Sequence, residues 1–98
     1  MQNQFLSVAF DVDGTLIYEA GDFENTPRYE IVEIFRHFKR LGCHMVIWSW
    51  GGQDYAEEWA KKLGLVAECL EKPVNDIVVV DITFDNDIIK VGKINIKV

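Results

Sequence analysis

Apolar residues along the chain fall into short runs separated by polar or glycine-containing segments, a pattern typical of alternating strands and helices. Residues 5–10 form the first run and predict a strand. Residues 43–48, bounded by glycines on both sides, predict a buried strand. Residues 65–70 predict a further short strand. Residues 77–80 are four β-branched side chains without alternation, which indicates a central parallel strand covered on both faces.

Two other segments repeat apolar side chains at spacings of three and four residues and therefore predict helices. The first is expected to begin at Thr26, because threonine is a good N-cap and Pro27 suits the first helical position. It is expected to end at Gly42. The second covers residues 54–63 and is closed by Gly64, since glycine commonly follows the last turn of a helix.

The remaining segments connect or end these elements. Residues 16–25 show no periodicity and predict a loop or short hairpin over the end of the first strand. The tail, residues 88–98, alternates at Ile94, Ile96 and Val98, which predicts a terminal strand or hairpin. If that strand is unpaired, its apolar edge is compatible with a homodimer.

Strands that alternate with helices predict a compact α/β domain with a parallel sheet. A chain of 98 residues has room for one core, so residues 1–98 are expected to form a single domain. Ligands of such sheets bind at the carboxyl ends of the strands. Polar residues that can bind a ligand or take part in catalysis are therefore expected just after the apolar runs.

Composition narrows the class of protein. A hydrophobic share of 49% with 27% charged residues is typical of a soluble globular protein, and no apolar run approaches a membrane span. A net charge of -6 without a basic stripe argues against non-specific nucleic-acid binding. The first residues lack the pattern of a secretory signal, which indicates a cytoplasmic protein. In that reducing compartment Cys43 and Cys69 are expected to be buried free thiols.

The most informative stretch is Asp11-Val12-Asp13-Gly14-Thr15, which directly follows the first apolar run. Two acids spaced i, i+2 at the mouth of a strand, followed by a glycine that allows a sharp turn, concentrate negative charge that a cation must match. This fixed pattern would arise by accident in about one in a thousand chains of this length. The alternative is an ordinary acidic turn, since Asp and Gly are common turn residues. We interpret the stretch as a metal site.

Further polar residues follow the other predicted strands. Ser49 ends the second apolar run, and Lys72 lies in the loop that leads to residues 77–80. Asp81 directly follows that run, and Asp85 comes four residues later. A serine at a strand end is commonly a turn residue, and most lysines are solvated. Ser49 and Lys72 therefore indicate a site only through their order in the chain and their placement relative to the predicted strands. Together the segments predict two carboxylates, a hydroxyl and an ammonium group at one edge of the sheet.

In this order the segments resemble the four motifs of the haloacid dehalogenase superfamily of phosphatases and phosphotransferases. Those motifs are a strand running into Asp-x-Asp-Gly-Thr, a strand ending in Ser or Thr, a lysine, and a strand ending in acids. The resemblance covers about residues 6–85 and implies a Rossmann-like three-layer sandwich with a central, mostly parallel sheet. Residues 16–25 have room for a hairpin flap but not for the cap domain of most members.

The resemblance also implies the roles of single residues. Asp11 would be the nucleophile that forms an aspartyl-phosphate, and Asp13 the acid and base for the leaving alcohol and the attacking water. Lys72 would take part in catalysis. The phosphate would be held by Lys72 together with Ser49, Trp50 and Gly51.

A hard ion such as Mg²⁺ would be held by oxygen ligands only. The resemblance assigns these ligands to Asp11, to the backbone carbonyl of Asp13, and to the acids of the last motif. Asp81 is the favoured direct ligand there, and Asp85 is a second or water-mediated one.

The function implied is a Mg²⁺-dependent phosphomonoesterase acting on a phosphorylated small molecule or an accessible phosphate group. A nucleotide, a sugar phosphate and the end of a polymeric phosphate all remain open. The alternative is a metal-binding or phospho-accepting signalling module in which Asp11 is phosphorylated but not rapidly hydrolysed. Receiver domains place the accepting Asp after a later strand, so they match this sequence less well.

Overall fold

The computed structural model describes residues 6–98, which form a sheet of five strands with two helices. The strands are β1 (Ser7–Asp11), β2 (His44–Ser49), β3 (Glu68–Glu71), β4 (Val80–Asp85) and β5 (Gly92–Lys97). Helix α1 (Tyr29–Arg40) joins β1 to β2, and α2 (Gln53–Leu63) joins β2 to β3. The strand order is β3-β2-β1-β4-β5, and every neighbouring pair is parallel. The predicted parallel α/β fold is thereby confirmed.

Both helices pack on the same face of the sheet. Phe10 and Ile47 from the strands share one buried cluster with Phe35 of α1 and Ala56 of α2. On the opposite face, Ile89 and Val91 of the irregular chain between β4 and β5 pack in a second cluster with strand residues such as Ala9, Val46 and Trp48. Within residues 6–98 no helix lies on this second face, so the three-layer arrangement is not confirmed. In the same part of the chain no helix is long and apolar enough to cross a membrane.

The predicted strand at residues 77–80 is wrong. Residues 77–79 are irregular and about half exposed, and only Val80 belongs to β4, which continues to Asp85. The reason lies in packing, because β4 pairs with β1 over residues 82–84 and Phe84 stacks on Phe10 with ring centroids 4.7 Å apart. Aromatic burial in the core outweighs the higher β propensity of the upstream run.

The predicted start of the first helix is also wrong, since α1 begins at Tyr29 and Arg28 precedes it without a side-chain cap. Pro27 instead forms an antiparallel bridge with Ile17. The backbone N–H of Arg28 donates to the carbonyl oxygen of Leu16 at 2.8 Å. These bonds hold the chain extended before the helix and tie it to the predicted hairpin over the end of β1, which we call the flap (residues 16–27).

The other predicted boundaries agree with the structure to within a few residues. Gly42 follows α1 with a φ of 86° and Gly64 caps α2 with a φ of 69°, the left-handed backbone that glycine tolerates. Cys43 is buried and Cys69 half-buried, and both are free thiols. Residue 5, where the first strand was predicted to begin, lies outside the described residues.

The predicted terminal strand exists as β5, but it runs parallel to β4 and so does not form a hairpin with it. It is one of the two edge strands of this sheet, and Ile94 is 55% and Ile96 37% exposed. Lys93 and Lys97 lie on the same strand, and lysines on an edge discourage direct strand pairing between copies. The homodimer stays a prediction.

Candidate active site

The site lies where β1 and β4 end side by side. The chain leaves β1 towards β2 on one side and leaves β4 towards β5 on the other, and such a reversal opens a crevice at the carboxyl ends of parallel strands. Asp11 is the last residue of β1 and Asp85 the last of β4. A cavity of about 200 Å³ opens here.

Six predicted residues line this cavity: Asp11, Asp13, Ser49, Trp50, Gly51 and Lys72. Three lining residues were not predicted: Glu19, Asn86 and Asp87. Asp85 is fully buried directly beneath them, where it bonds to Lys72. Four segments distant in the sequence therefore meet at one edge of the sheet.

The centre of the site is the ammonium group of Lys72. Its Nζ lies 2.8 Å from Oδ1 of Asp11 and 2.8 Å from Oδ2 of Asp85, and all three side chains are almost completely buried. The other oxygen of Asp85 accepts the backbone N–H of Asp87 at 2.8 Å. The backbone N–H of Lys72 donates to the carbonyl oxygen of Ser49 at 3.0 Å, which fixes the lysine beside the end of β2.

These contacts shift the acidity of both partners. Burial raises the pKa of Asp11 from 3.8 to about 6, and the hydrogen bond from Lys72 opposes this only in part because the charge of Asp85 adds to the increase. Burial alone would lower the pKa of Lys72, but hydrogen bonds to the two carboxylates outweigh it and the pKa is raised. At neutral pH Asp11 is therefore an ionised carboxylate and Lys72 an ammonium.

The turn after β1 orients Asp11. The hydroxyl of Thr15 donates to Oδ2 of Asp11 at 3.3 Å. Gly14 has a φ of 80°, and a Cβ at this position would overlap the amide of Asn86. Glycine meets both conditions, so Gly14 is explained by the geometry of this turn. The Asn86 amide in turn donates to Glu19 of the flap at 2.8 Å.

The side chain of Asp13 is held by a residue of α2. Its Oδ1 accepts a hydrogen bond of 2.8 Å from the hydroxyl of Tyr55, a residue that the sequence analysis did not single out. Burial, together with the hydrogen bond to the Asp13 carboxylate, raises the pKa of Tyr55. The phenol therefore stays protonated at neutral pH and acts as the donor.

The predicted phosphate-binding residues after β2 divide into different roles. The backbone N–H of Gly51 donates to Oγ of Ser49 at 2.9 Å, so this amide is already engaged, whereas the Ser49 hydroxyl keeps its own proton to donate. Trp50 is 57% exposed, and Nζ of Lys72 lies 5.2 Å from its ring centroid. Trp50 thus forms a wall of the cavity beside the lysine.

Asp81 does not reach this cavity, and its predicted place after a strand is wrong. It lies near the start of β4, four residues before Asp85, which is about 13 Å along a strand. Its Oδ2 accepts the backbone N–H of Ser7 at 2.9 Å, and its Oδ1 lies 3.2 Å from Nζ of Lys93. The Ser7 backbone and the Lys93 ammonium lower the pKa of Asp81. Asp81 therefore ties the opposite end of the sheet together.

The donors present agree in type with a hard divalent cation. Asp11 and Asp85 supply carboxylate oxygens, and Asp13, whose side chain is turned to Tyr55, is left with its backbone carbonyl. The carboxylates of Asp11 and Asp85 carry more negative charge than the ammonium of Lys72 neutralises, so a negative charge is left over at the site. Within residues 6–98, however, no three Asp, Glu, His or Cys side chains are already arranged around one metal position.

The chain matches no family model, no curated protein and no solved structure. Its function must therefore be argued from the geometry of the site.

Proposed function

We propose that this protein is a Mg²⁺-dependent phosphomonoesterase that forms an aspartyl-phosphate on Asp11. The observation that carries this proposal is the buried ammonium of Lys72 bonded to both Asp11 and Asp85, beside the hydroxyl of Ser49 in one cavity. An ionised carboxylate needs no base to become a nucleophile. A neighbouring cation shields it from the negative charge of an incoming phosphate.

In the first step, a carboxylate oxygen of Asp11 attacks phosphorus while the bond to the ester oxygen breaks. Lys72 and the Ser49 hydroxyl stabilise the phosphoryl oxygens as charge shifts between them. Asp13 gives a proton to the departing oxygen, so that an alcohol leaves. In the second step, water attacks the phosphorus, Asp13 takes a proton from it, and the bond to Asp11 breaks to release phosphate.

Asp11, Asp85 and the backbone carbonyl of Asp13 would hold the metal. A bound Mg²⁺ supplies charge neutralisation for the carboxylates and the phosphoryl group, and it orients them. The protein's own groups still perform the attack and the proton transfers.

A cavity of about 200 Å³ accommodates a phosphate group but leaves most of a larger leaving group outside. This fits a nucleotide, a sugar phosphate or the end of a polymeric phosphate. The flap bounds one side through the Glu19–Asn86 hydrogen bond. We propose that the fold is a Rossmann-like one reduced by a layer of helices, because its strand order reverses between β1 and β4 as in doubly wound sheets. A cytoplasmic location belongs to the same proposal.

A panel of phosphate esters with and without Mg²⁺ tests the function. We expect phosphate release by the wild type with Mg²⁺, loss of release on chelation, and none from Asp11→Asn. No release from any ester by the wild type would contradict the proposal. A long-lived aspartyl-phosphate after treatment with acetyl phosphate would instead support the phospho-accepting module.

Asp85→Asn and Asp81→Asn form a matched pair at opposite ends of β4. We expect Asp85→Asn to reduce phosphatase activity by about 100-fold or more, because Asp85 bonds to Lys72 and is a proposed metal ligand. Asp81→Asn is expected to keep wild-type kcat and KM, since among residues 6–98 its side chain bonds to Ser7 and Lys93, at the end of β4 opposite the cavity. Steady-state kinetics measures both. If Asp81→Asn lost activity while Asp85→Asn kept it, Asp81 and not Asp85 would be the acid that belongs to the proposed active site.

A further inference from the structure

Tyr55 is in the first turn of α2, and its hydroxyl reaches across to the turn that follows β1. Within residues 6–98 it is the one hydrogen-bond partner of the Asp13 side chain, at 2.8 Å from Oδ1. Asp13 is partly exposed at the cavity, so without this bond its carboxylate would be free to rotate.

The ring of Tyr55 is itself held in place. It packs against the helix-side core, and a Cβ added at Gly51 would lie 3.1 Å from the ring and 3.3 Å from Oγ of Ser49. The absence of a side chain at Gly51 therefore lets the tyrosine lie close to the end of β2. A rigid aromatic ring on a helix is a precise support for a second side chain.

The hydrogen bond distinguishes the two oxygens of Asp13. Oδ1 accepts the hydrogen bond that the Tyr55 hydroxyl donates. When the carboxyl group of Asp13 is protonated, its own proton therefore resides on Oδ2. We propose that Tyr55 is a positioning residue that fixes Asp13 so that Oδ2 faces the leaving oxygen; this inference rests on the proposed phosphatase function.

The proton transfers then balance at one atom. When Asp11 attacks phosphorus and the ester bond breaks, Oδ2 of Asp13 loses its proton to the leaving oxygen. When water attacks the aspartyl-phosphate, Oδ2 regains a proton from that water as the phosphate separates from Asp11. Tyr55 keeps its own proton throughout and remains bonded to Oδ1.

Tyr55→Phe removes the hydroxyl but keeps the ring against Gly51. An alkyl phosphate has a poor leaving group that needs the proton of Asp13, whereas p-nitrophenolate leaves without one. We expect the variant to slow single-turnover cleavage of an alkyl phosphate by about 10-fold or more. General acid catalysis typically accelerates such a step by ~10²–10⁴-fold, and misplacing the acid should remove a part of that acceleration. Single-turnover release of p-nitrophenolate should fall by less than about 3-fold, because general acid catalysis contributes little to that step.

The matched control is Tyr29→Phe, which removes an exposed hydroxyl outside the cavity and should change neither rate. In an Asp13→Asn background, Tyr55→Phe should cause no further loss, because both changes disable the same group. Thermal unfolding of Tyr55→Phe checks that the fold is retained.

The outcomes separate the two claims. Equal slowing of both esters by Tyr55→Phe, or a full additional loss in the Asp13→Asn background, would overturn the positioning role while leaving the phosphatase function intact. A wild type that cleaves neither ester would overturn the proposed function and this inference with it.

Discussion

Asp11→Asn is expected to be inactive and, at pH 7.5 without Mg²⁺, more stable than the wild type. The variant lacks the proposed nucleophile, so we expect phosphatase activity to fall by about 10⁴-fold or more. The gain in stability comes from the same side chain, because an amide of equal size carries no charge that burial at the cavity wall would penalise, and Lys72 keeps Asp85 as its ionic partner.

The sign of the stability effect follows from the pKa of Asp11, which is 3.8 as an ordinary carboxyl and about 6 in the folded protein. A raised pKa means that the folded state binds this proton more tightly than the unfolded chain. Its stabilising contribution is therefore complete below about pH 3.8 and is lost as the pH rises through about 6. At pH 7.5 ionisation of Asp11 costs up to about 3 kcal/mol, so Asp11→Asn should be more stable by about 1–3 kcal/mol.

Urea unfolding at pH 7.5 and pH 4.5, in the absence of divalent ions, measures this difference. The advantage of Asp11→Asn over the wild type should shrink at the lower pH, where the folded wild type already holds the proton. Asp22→Asn alters an exposed acid of the flap and serves as the control, with no comparable difference between the two pH values. An Asp11→Asn protein less stable than the wild type at pH 7.5 would contradict the argument.

Lys72→Met is expected to lower the free energy of unfolding by about 3–5 kcal/mol and to abolish activity. Methionine has a similar length but leaves the Asp11 and Asp85 carboxylates buried side by side without a counter-charge, and breaking a buried ion pair on one side costs about this much. We expect the proposed catalysis to be lost as well, because the variant has no cation to offset the charge of the phosphoryl oxygens.

Lys62→Met is the matched control, because Lys62 lies on α2 with its side chain 54% exposed and its ion pair with Glu58 is at the surface. Its effect on unfolding should stay below about 1 kcal/mol. Urea unfolding at pH 7.5 compares both variants with the wild type. If Lys72→Met and Lys62→Met were equally stable, the ion pairs of Lys72 would not form in solution. Added Mg²⁺ should restore part of the stability of Lys72→Met by neutralising the two acids.

The sequence predicted the site better than it predicted the strand that completes it. The ends of β1 and β2 were correct because each is a single apolar run of strand length with a polar residue directly after it. Residues 77–80 have a higher β propensity than residues 80–85, and the prediction used that propensity alone. In the structure the strand lies at residues 80–85, because Phe84 fills the core against Phe10. The strand therefore ends at Asp85 and not at Val80, so the acid that reaches the site is Asp85 and not Asp81.

Other features depend on tertiary arrangement and leave no signal in the sequence. Tyr55 reaches Asp13 only because of how α2 is rotated above Gly51. The Glu19–Asn86 contact depends on the path of the flap. The helix start at Thr26 was predicted from local capping preferences, but pairing of Pro27 with Ile17 overrides them. Local preferences give the elements, and long-range contacts decide where they begin.

The position of β1 at the centre of the sheet has a consequence for biogenesis. A ribosome makes β1 first, but its contact with β4 joins residues such as Ser7 and Asp81 that are 74 positions apart in the chain. Contacts between such distant segments form slowly, so one side of β1 remains an unpaired, aggregation-prone strand edge until β4 has been made. A nascent chain that stops before Val80 already contains Asp11, Ser49 and Lys72, yet it lacks Asp85, the second of the two acids that bond to the lysine. The proposed site can therefore form only after the chain has been made as far as Asp85.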